Sequence, residues 1–232
     1  MTKPGASRLF IPLLAGASLR DRMVASAGAL VGIGLAGLIC AALFPVSMPW
    51  IIAPIGASAV LLFVVPSSPL AQPWSIFGGN VVSSVVGIVV AQAVSTPALA
   101  AALAVATAIL VMSLMRCLHP PGGAVALSAV LGWSSFGSHI IDFFVPVAIN
   151  SLVLVAIGIA FHRFSGHSYP HRPQPVEGKS FVPASVGVQM ADIDAALEDL
   201  GETFDISRED LALLLERAEA HATARAVGRR AA

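Results

Sequence analysis

The residues that could perform chemistry in this chain are concentrated in one short, interrupted stretch. Arg116 and His119 lie three positions apart, and the four residues that follow are Pro120, Pro121, Gly122 and Gly123. Paired prolines remove two backbone donors and end a preceding helix, while paired glycines permit a sharp turn and close backbone approach. We expect the next helix to start near Ala124, where its positive N-terminal end, Arg116 and His119 would together select an anion.

Each of the two ionisable residues also has a structural interpretation. His119 can hold the fold at the helix break without contacting a solute. Arg116 can extend to the lipid headgroups and act only as a topology signal. An unpaired arginine at the membrane midplane costs at least ~2.5 kcal/mol on insertion scales, so we expect Arg116 either at an interface or beside a cavity. The sequence leaves both alternatives open.

A second stretch repeats part of this motif. Residues 54–60 and 121–127 share the pattern P-x-G-A-x-A-[VL], 67 positions apart. Each lies between two long apolar runs, which is the arrangement of an internally duplicated transporter; chance is the alternative, since Gly and Ala are abundant. We therefore add to the candidate solute-binding residues the small and polar ones near the first copy, Gly56, Ala57, Ser58, Gln72 and Asn80. Interhelical hydrogen bonding is the structural alternative for the last three.

The surroundings of these residues are almost free of charge. Between residues 23 and 161, Arg116 and Asp142 are the only Lys, Arg, Asp or Glu. The whole chain has 11% charged and 56% hydrophobic residues and a mean hydropathy of +0.85, whereas roughly a quarter of the residues of a soluble domain are charged. A lipid-facing surface explains this composition. We predict an all-α, polytopic transmembrane helix bundle built from two repeats of span, broken short helix and span.

The same composition argues against several classes of function. No basic stripe indicates nucleic-acid binding. The apolar region has no paired carboxylates and no nucleophile–base spacing, so we expect no enzymatic activity and no cofactor. Cys40 and Cys117 lack ligand spacing and are typical of small buried hydrophobes, so we expect no metal site.

Four apolar runs are long enough to cross a membrane core of ~30 Å. They cover residues 23–44, 76–94, 98–118 and 139–161, and two shorter pieces cover 51–65 and 124–133. We divide the chain into a basic flank (1–22), a transmembrane domain (23–163), a linker (164–191) and a helical tail (192–232). The tail is too small for a core of its own, so we expect it to pack on a partner or to be partly disordered. Ser207 and Asp210 predict the start of its second helix.

The basic residues predict the orientation. Both termini lie on the same side whether the short pieces cross the membrane or turn back, and basic residues flank the first and last spans on that side: Arg20, Arg22, Arg163 and Arg172. By the positive-inside rule this side is the cytoplasm. Six and four crossings both remain open, and the position of Arg116 slightly favours six. We expect no cleaved signal peptide, because the first apolar run is long and unbroken.

Taken together, the motifs resemble those of the HPP family of membrane proteins, which is named for the His-Pro-Pro that stands here at residues 119–121. The resemblance covers about residues 20–165 and includes residues 54–58, 69–73 and 79–80. Known members are small multi-helix membrane proteins, and some plant and cyanobacterial ones are described as nitrite transporters. The resemblance therefore implies a transporter or channel of the bacterial inner membrane for a small inorganic anion, with nitrite favoured.

The resemblance also bears on the tail. In many bacterial members a similar tail leads into a pair of CBS domains, and we expect this chain, which ends at Ala232, to lack them. The alternative function is a non-transporting membrane module that anchors or assembles a cytoplasmic partner through residues 176–226. The partners that we expect are the anion and the lipid bilayer, and the sequence leaves a homo-oligomer open.

Overall fold

The computed structural model describes residues 19–43, 51–136, 139–172, 189–200 and 205–230. Within these ranges the chain is helical, as its composition predicts, and one 3₁₀ turn occurs at Pro69–Ala71. The α-helices are α1 (Leu19–Leu43), α2 (Pro54–Val64), α3 (Pro73–Ala93), α4 (Pro97–Leu114), α5 (Pro120–Phe136), α6 (Ile141–Ser165), α7 (Met190–Leu200) and α8 (Arg208–Arg230). Most of the basic flank, the prolines that follow the first span and most of the linker lie outside the described residues.

Four of these helices, α1, α3, α4 and α6, are long and apolar enough to cross a membrane. The other two in the apolar region, α2 and α5, have 11 and 17 residues. Each of the four predicted spans and both short pieces is therefore a helix, with bounds that differ by a few residues from those predicted. The predicted class, an all-α bundle of transmembrane helices, is confirmed.

The helix after the His-Pro-Pro motif starts earlier than predicted. It begins at Pro120 and not near Ala124, so the two prolines and two glycines belong to its first turn rather than to an unwound break. The first residues of a helix have no intrahelical acceptor for their N–H groups, so a proline there loses little and its fixed φ suits the helix. Pro54, Pro73 and Pro97 start α2, α3 and α4 in the same way. The interruption is therefore confined to residues 115–119.

The short helices α2 and α5 are enclosed by the longer ones. α2 packs against α1, α5 and α6, while α5 packs against α2, α3, α4 and α6. The largest fully buried apolar side chains of α2, α3 and α6 form one cluster: Ile55, Leu62, Ile76, Val147 and Leu154. Within a membrane, van der Waals packing of these side chains and interhelical hydrogen bonds hold α2 in the bundle although it has only three turns.

Two glycines of the long helices allow close contact with the short ones. A Cβ atom added at Gly158 of α6 would lie 2.6 Å from Leu62 Cδ2 of α2. A Cβ atom added at Gly87 of α3 would lie 2.6 Å from the Ala126 carbonyl oxygen and 2.7 Å from Ala129 Cβ of α5. Leu62 and Ala129 are 67 positions apart, like the repeated motif, whereas Gly87 and Gly158 are 71 positions apart. The duplication, with α1–α3 as one half and α4–α6 as the other, stays a prediction.

Contacts at the helix ends show the course of the chain. Arg20 in the first turn of α1 and Ser165 at the end of α6 line the same pocket, so these two ends lie together. At the opposite end of α6, Phe143 stacks on Phe136, the last residue of α5, with ring centroids 5.0 Å apart. Because α5 continues to that opposite end without turning back, the arrangement favours six crossings over four.

The helical tail contacts the loop between α2 and α3. Ser68 Oγ donates a hydrogen bond to Asp205 Oδ1 at 2.8 Å, and His171 Nε2 lies 2.9 Å from Asp210 Oδ1. The Asp210 N–H donates to Ser207 Oγ at 3.0 Å, which confirms the predicted cap at the start of α8. The described residues of the tail thus pack on each other and contact the membrane region of the same chain, and a partner for the tail stays a prediction.

Candidate functional site

A chain of hydrogen-bonded side chains lies buried where α2, α3 and α6 meet. Asn80 of α3 donates from Nδ2 to Ser58 Oγ of α2 at 3.2 Å and to Ser151 Oγ of α6 at 3.1 Å. Ser58 Oγ lies 2.8 Å from Nε2 of His119, the residue that precedes α5. All four residues are fully buried. We call Ser58, Asn80, His119 and Ser151 the polar network.

The partners of His119 fix the direction of each hydrogen bond in the network. His119 Nδ1 lies 2.8 Å from the Leu70 carbonyl oxygen, which can only accept, so Nδ1 carries the hydrogen. A charged imidazolium would be costly among neutral buried groups, so the ring is neutral and Nε2 accepts. The Ser58 hydroxyl donates to Nε2 at 2.8 Å, in preference to the Pro54 carbonyl at 3.4 Å. Ser58 then accepts from Asn80.

Two glycines allow the backbone of α3 to approach His119 and α5. A Cβ atom at Gly79 would lie 2.6 Å from His119 Cβ and 2.8 Å from the Cys117 carbonyl oxygen. A Cβ atom at Gly122 would lie 2.7 Å from Ser83 Oγ and 3.0 Å from the Gly79 carbonyl oxygen. Neither position has room for a side chain. The predicted role of Gly122 in close backbone approach is therefore observed, and it serves to position His119 beside α3.

His119 is also held by a braced loop, residues 65–72, which we call the Leu70 loop. Ser68 Oγ accepts from the Leu70 N–H at 3.1 Å. Gln72 Nε2 donates to the carbonyl oxygens of Pro66 and Ser68 at 3.0 and 2.8 Å. Tyr169, which follows α6, donates from its hydroxyl to the Ala71 carbonyl at 2.9 Å. Burial raises the pKa of Tyr169, so its phenol keeps the donated hydrogen. Gln72 thus braces the loop and lies outside the polar network.

Of the predicted site residues, Ser58, Asn80 and His119 come together in the network, and Gly122 packs behind it. Four others border a groove of about 430 Å³ between α2 and α5, whose lining is entirely apolar: Ala57, Pro120, Pro121 and Ala124, with Val60 and Leu61. A Cβ atom added at Gly123 would meet only Val105, at an ordinary 3.8 Å, and one added at Gly56 would meet nothing within 4 Å. The groove adjoins the network, because Ala57 precedes Ser58 and Pro120 follows His119.

Arg116 lies apart from the polar network. Its side chain is exposed, and its backbone has a φ of 54°. The Cys117 N–H donates to the Met112 carbonyl at 2.9 Å and the Arg116 N–H to the Ser113 carbonyl at 3.2 Å. This is the hydrogen-bond pattern of a Schellman motif, in which Arg116 occupies the left-handed position that glycine usually takes. A cation also suits the negative C-terminal end of α4.

The start of α5 has few backbone donors for an anion. Pro120 and Pro121 have no N–H group, and the Gly122 N–H already donates to the His119 carbonyl at 2.8 Å. The described residues therefore do not assemble Arg116, His119 and the start of α5 into one electropositive site. Within the described ranges, moreover, no group of three or more His, Cys, Asp or Glu residues lies close enough to hold a metal ion.

Sequence reasoning missed two polar residues in α6. Ser151 completes the polar network. The adjacent Asn150 accepts from the Ile52 N–H at 3.1 Å and donates to Cys40 Sγ at 3.0 Å, and so links α1, the start of α2 and α6. The signal was present, because Asn150 and Ser151 are a polar pair in the middle of a long apolar run. The Leu70 carbonyl, in contrast, could not be predicted from the sequence as a partner of His119.

Comparisons with known proteins agree with this architecture. The family model of the HPP transmembrane region matches residues 15–170. One transmembrane protein of Dictyostelium discoideum is 40% identical over 128 residues, which is 53% of this chain and 45% of that protein. A second from the same organism is 37% identical over 113 residues, which is 47% of this chain and 36% of that protein. The matched region thus spans less than half of each curated relative.

No solved structure matches the chain. The family match, however, includes all six helices of the apolar region and the whole polar network. It also covers well over half of the sequence. On this basis the chain belongs to the HPP family of transmembrane proteins.

Proposed function

We propose that this protein transports a small inorganic anion across a membrane, with nitrite as the first candidate. The observation that carries the proposal is the polar network of Ser58, Asn80, His119 and Ser151, enclosed where the two short helices meet the long ones. Polar groups inside an apolar bundle are costly and commonly mark solute pathways. The choice of nitrite comes from the resemblance to HPP proteins described as nitrite transporters.

The predicted duplication supports a transporter rather than a passive anchor. Transporters built from two inverted repeats bind their solute near the repeat interface, beside short or interrupted helices. Ser58 of α2 and His119, which precedes α5, lie 2.8 Å apart in the two segments that share the repeated motif. A contact between these segments is expected if they form such an interface.

The groove between α2 and α5 lies beside the network and is the route to it that we propose. It is bordered by the residues beside Ser58 and His119 and has a volume of about 430 Å³. A solute that entered this groove would reach the Ser58–His119 hydrogen bond by separating α2 from the first turn of α5. Small relative movement of the two short helices is therefore the motion that transport requires.

The orientation that we propose places both ends of the apolar region in the cytoplasm, in a bacterial cytoplasmic membrane with six crossings. Arg20 and Arg22 lie in the first turn of α1, and Arg163 lies in the last turn of α6, at the same end of the bundle. Basic residues that flank the spans on one side favour the cytoplasmic side.

The direct test is flux in liposomes that contain the purified protein. Nitrite, nitrate, chloride and formate are supplied in turn, and we expect nitrite uptake to exceed that of protein-free liposomes by at least tenfold. Ser58→Ala should reduce uptake, since it removes the partner of both Asn80 and His119. Ser84→Ala is the matched control, because Ser84 is equally buried on α3 but bonds only to the Val81 carbonyl of its own helix. Wild-type uptake equal to that of protein-free liposomes for every anion would disprove the proposal.

A second candidate function is suggested by the tail. The tail and the Leu70 loop enclose a groove of about 600 Å³ that is lined by Val65, Ser68, Ile206, Leu213 and Leu214, among others. Leu214 is 58% exposed, so α8 presents apolar surface that a cytoplasmic protein could cover. A membrane anchor for such a partner does not have to move an anion. The measurement of anion uptake by liposomes therefore separates the two functions.

A further inference from the structure

One polar atom at the centre of the bundle has no hydrogen-bond partner among the described residues: Oδ1 of Asn80. Asn80 is fully buried in α3, at the middle of the polar network. Its other polar atom, Nδ2, makes two hydrogen bonds. A buried acceptor without a donor is costly, and it calls for a partner such as an ordered water, an ion or a ligand.

The unpaired atom must be the oxygen and not the nitrogen. The Leu70 carbonyl fixes the hydrogen of His119 on Nδ1, which makes Nε2 an acceptor. The single hydrogen of Ser58 is then committed to Nε2 at 2.8 Å. Ser58 can therefore only accept from Asn80, so the amide must turn its Nδ2 toward Ser58 and leave Oδ1 unpaired. The atom offered to a solute is an acceptor, and it suits a hydrogen-bond donor.

The surroundings of this acceptor favour an uncharged solute. The side chains of the polar network are neutral, and Arg116, the one Arg or Lys between residues 23 and 161, is exposed outside it. The adjoining groove between α2 and α5 is lined only by apolar residues. An anion without a cation or a set of donors would pay a large desolvation cost in such a place. A neutral acid would not pay this desolvation cost.

We propose that the solute passes this site as its uncharged conjugate acid, which for nitrite is nitrous acid, with its O–H group donating to Asn80 Oδ1. This inference rests on the proposed transport of nitrite. One proton joins a nitrite oxygen on the side of entry, crosses on that oxygen and dissociates on the side of exit. Each turnover therefore moves one proton and one nitrite ion together, and no net charge crosses the membrane.

The test measures charge movement during nitrite uptake by liposomes that contain the full-length protein. A potassium gradient with valinomycin sets the membrane potential, and a dye in the lumen reports pH. A potential of about 100 mV would change the equilibrium accumulation of a lone anion roughly 50-fold. Uptake of the acid should acidify the lumen and should leave the final accumulation the same, within about twofold, for both signs of the potential.

The dependence on external pH gives a second readout. The protonated fraction of nitrite falls about tenfold for each pH unit above the pKa of nitrous acid. The KM for total nitrite should rise by the same factor between pH 6.5 and 7.5, while the maximal rate should change little. Protein-free liposomes provide the rate of passive acid leakage, which is subtracted at each pH.

Asn80→Leu removes the acceptor together with the two hydrogen bonds that Nδ2 donates, and it should lower nitrite uptake at least tenfold at saturating nitrite. Ser84→Ala on the same helix should keep wild-type uptake. The wild-type measurements alone decide the inference if Asn80→Leu fails to insert. Nitrite uptake that follows the membrane potential and leaves the lumen pH unchanged would overturn the inference but preserve the proposed transport. Absence of any nitrite uptake would overturn both.

Discussion

Ser58 Oγ and His119 Nε2 lie 2.8 Å apart and join the second turn of α2 to the residue that precedes α5. Both atoms are fully buried, and each belongs to one of the two short helical segments. The hydrogen bond joins α2 to the segment before α5. Its loss should therefore change both the stability of the fold and the transport that we propose.

Removal of the imidazole should destabilise the fold. His119→Ala leaves the Leu70 carbonyl and the Ser58 hydroxyl without their partner, and each unsatisfied buried group costs about 1–3 kcal/mol. We expect a clearly lower unfolding temperature of the detergent-solubilised protein. His119→Gln should fall between Ala and wild type, because its amide can both donate and accept. Equal unfolding temperatures for wild type and His119→Ala would mean that the two hydrogen bonds contribute nothing to stability.

A methyl group at the α3–α5 contact should be poorly tolerated. In Gly79→Ala the new Cβ would lie 2.6 Å from His119 Cβ and 2.8 Å from a backbone oxygen, and overpacking of this kind costs about 1–3 kcal/mol. The matched control is Gly56→Ala on α2, where a Cβ meets nothing within 4 Å. This control should gain about 0.5–1 kcal/mol, because alanine favours a helix over glycine. Thermal unfolding compares the two variants. Equal shifts of their unfolding temperatures would contradict the close contact between Gly79 and His119.

Arg116 gives a test that separates its two interpretations. The sequence motif predicts that Arg116→Gln sharply reduces anion flux and that Arg116→Lys keeps part of it. The exposed side chain and the left-handed backbone predict instead that flux stays within about twofold of wild type. Arg116→Gly should then be neutral or should stabilise the protein by up to about 1 kcal/mol, since glycine suits this backbone. Nitrite flux and thermal unfolding of the three variants distinguish the outcomes.

Deletion of residues 176–232 should leave an inserted, folded membrane region. The described residues of the tail, 189–200 and 205–230, contribute nothing to the main apolar cluster between α2, α3 and α6. It does supply Asp205 and Asp210 to Ser68 and His171, so we expect a small fall in thermal stability rather than loss of the fold. Size-exclusion chromatography and protease resistance of the truncated protein provide the measurement. Aggregation of the truncated but not the full-length protein would show that the tail is required for folding.

The sequence predicted the helical architecture well, because absence of charge over a long stretch has few structural solutions. It also predicted that Ser58, Asn80 and His119 belong to one site, since polar residues in apolar spans are few. The start of α5 was misplaced because the pair Pro120 and Pro121 was taken as a break, although proline is also favoured in a first helical turn. Whether such a proline pair ends one helix or starts the next is decided here by packing of α5 against α3.

The location of Arg116 outside the network could not be predicted for a different reason. Its side-chain direction follows from one left-handed backbone position at the end of α4, which glycine and not arginine usually occupies. The role of Leu70 was equally hidden, because a backbone carbonyl is the same in every residue. Both depend on how the chain turns between helices, and hydrophobic periodicity carries little information about such turns.

The Leu70 loop connects two regions that the sequence treats as separate. Asp205 of the tail accepts from Ser68, Ser68 accepts from the Leu70 N–H, and the Leu70 carbonyl accepts from His119 in the polar network. The backbone N–H and C=O of one residue, Leu70, therefore carry the two connections. If a ligand displaces Asp205 and thereby changes the affinity of the network for its solute, thermodynamic reciprocity requires that solute binding change the affinity for that ligand by the same factor.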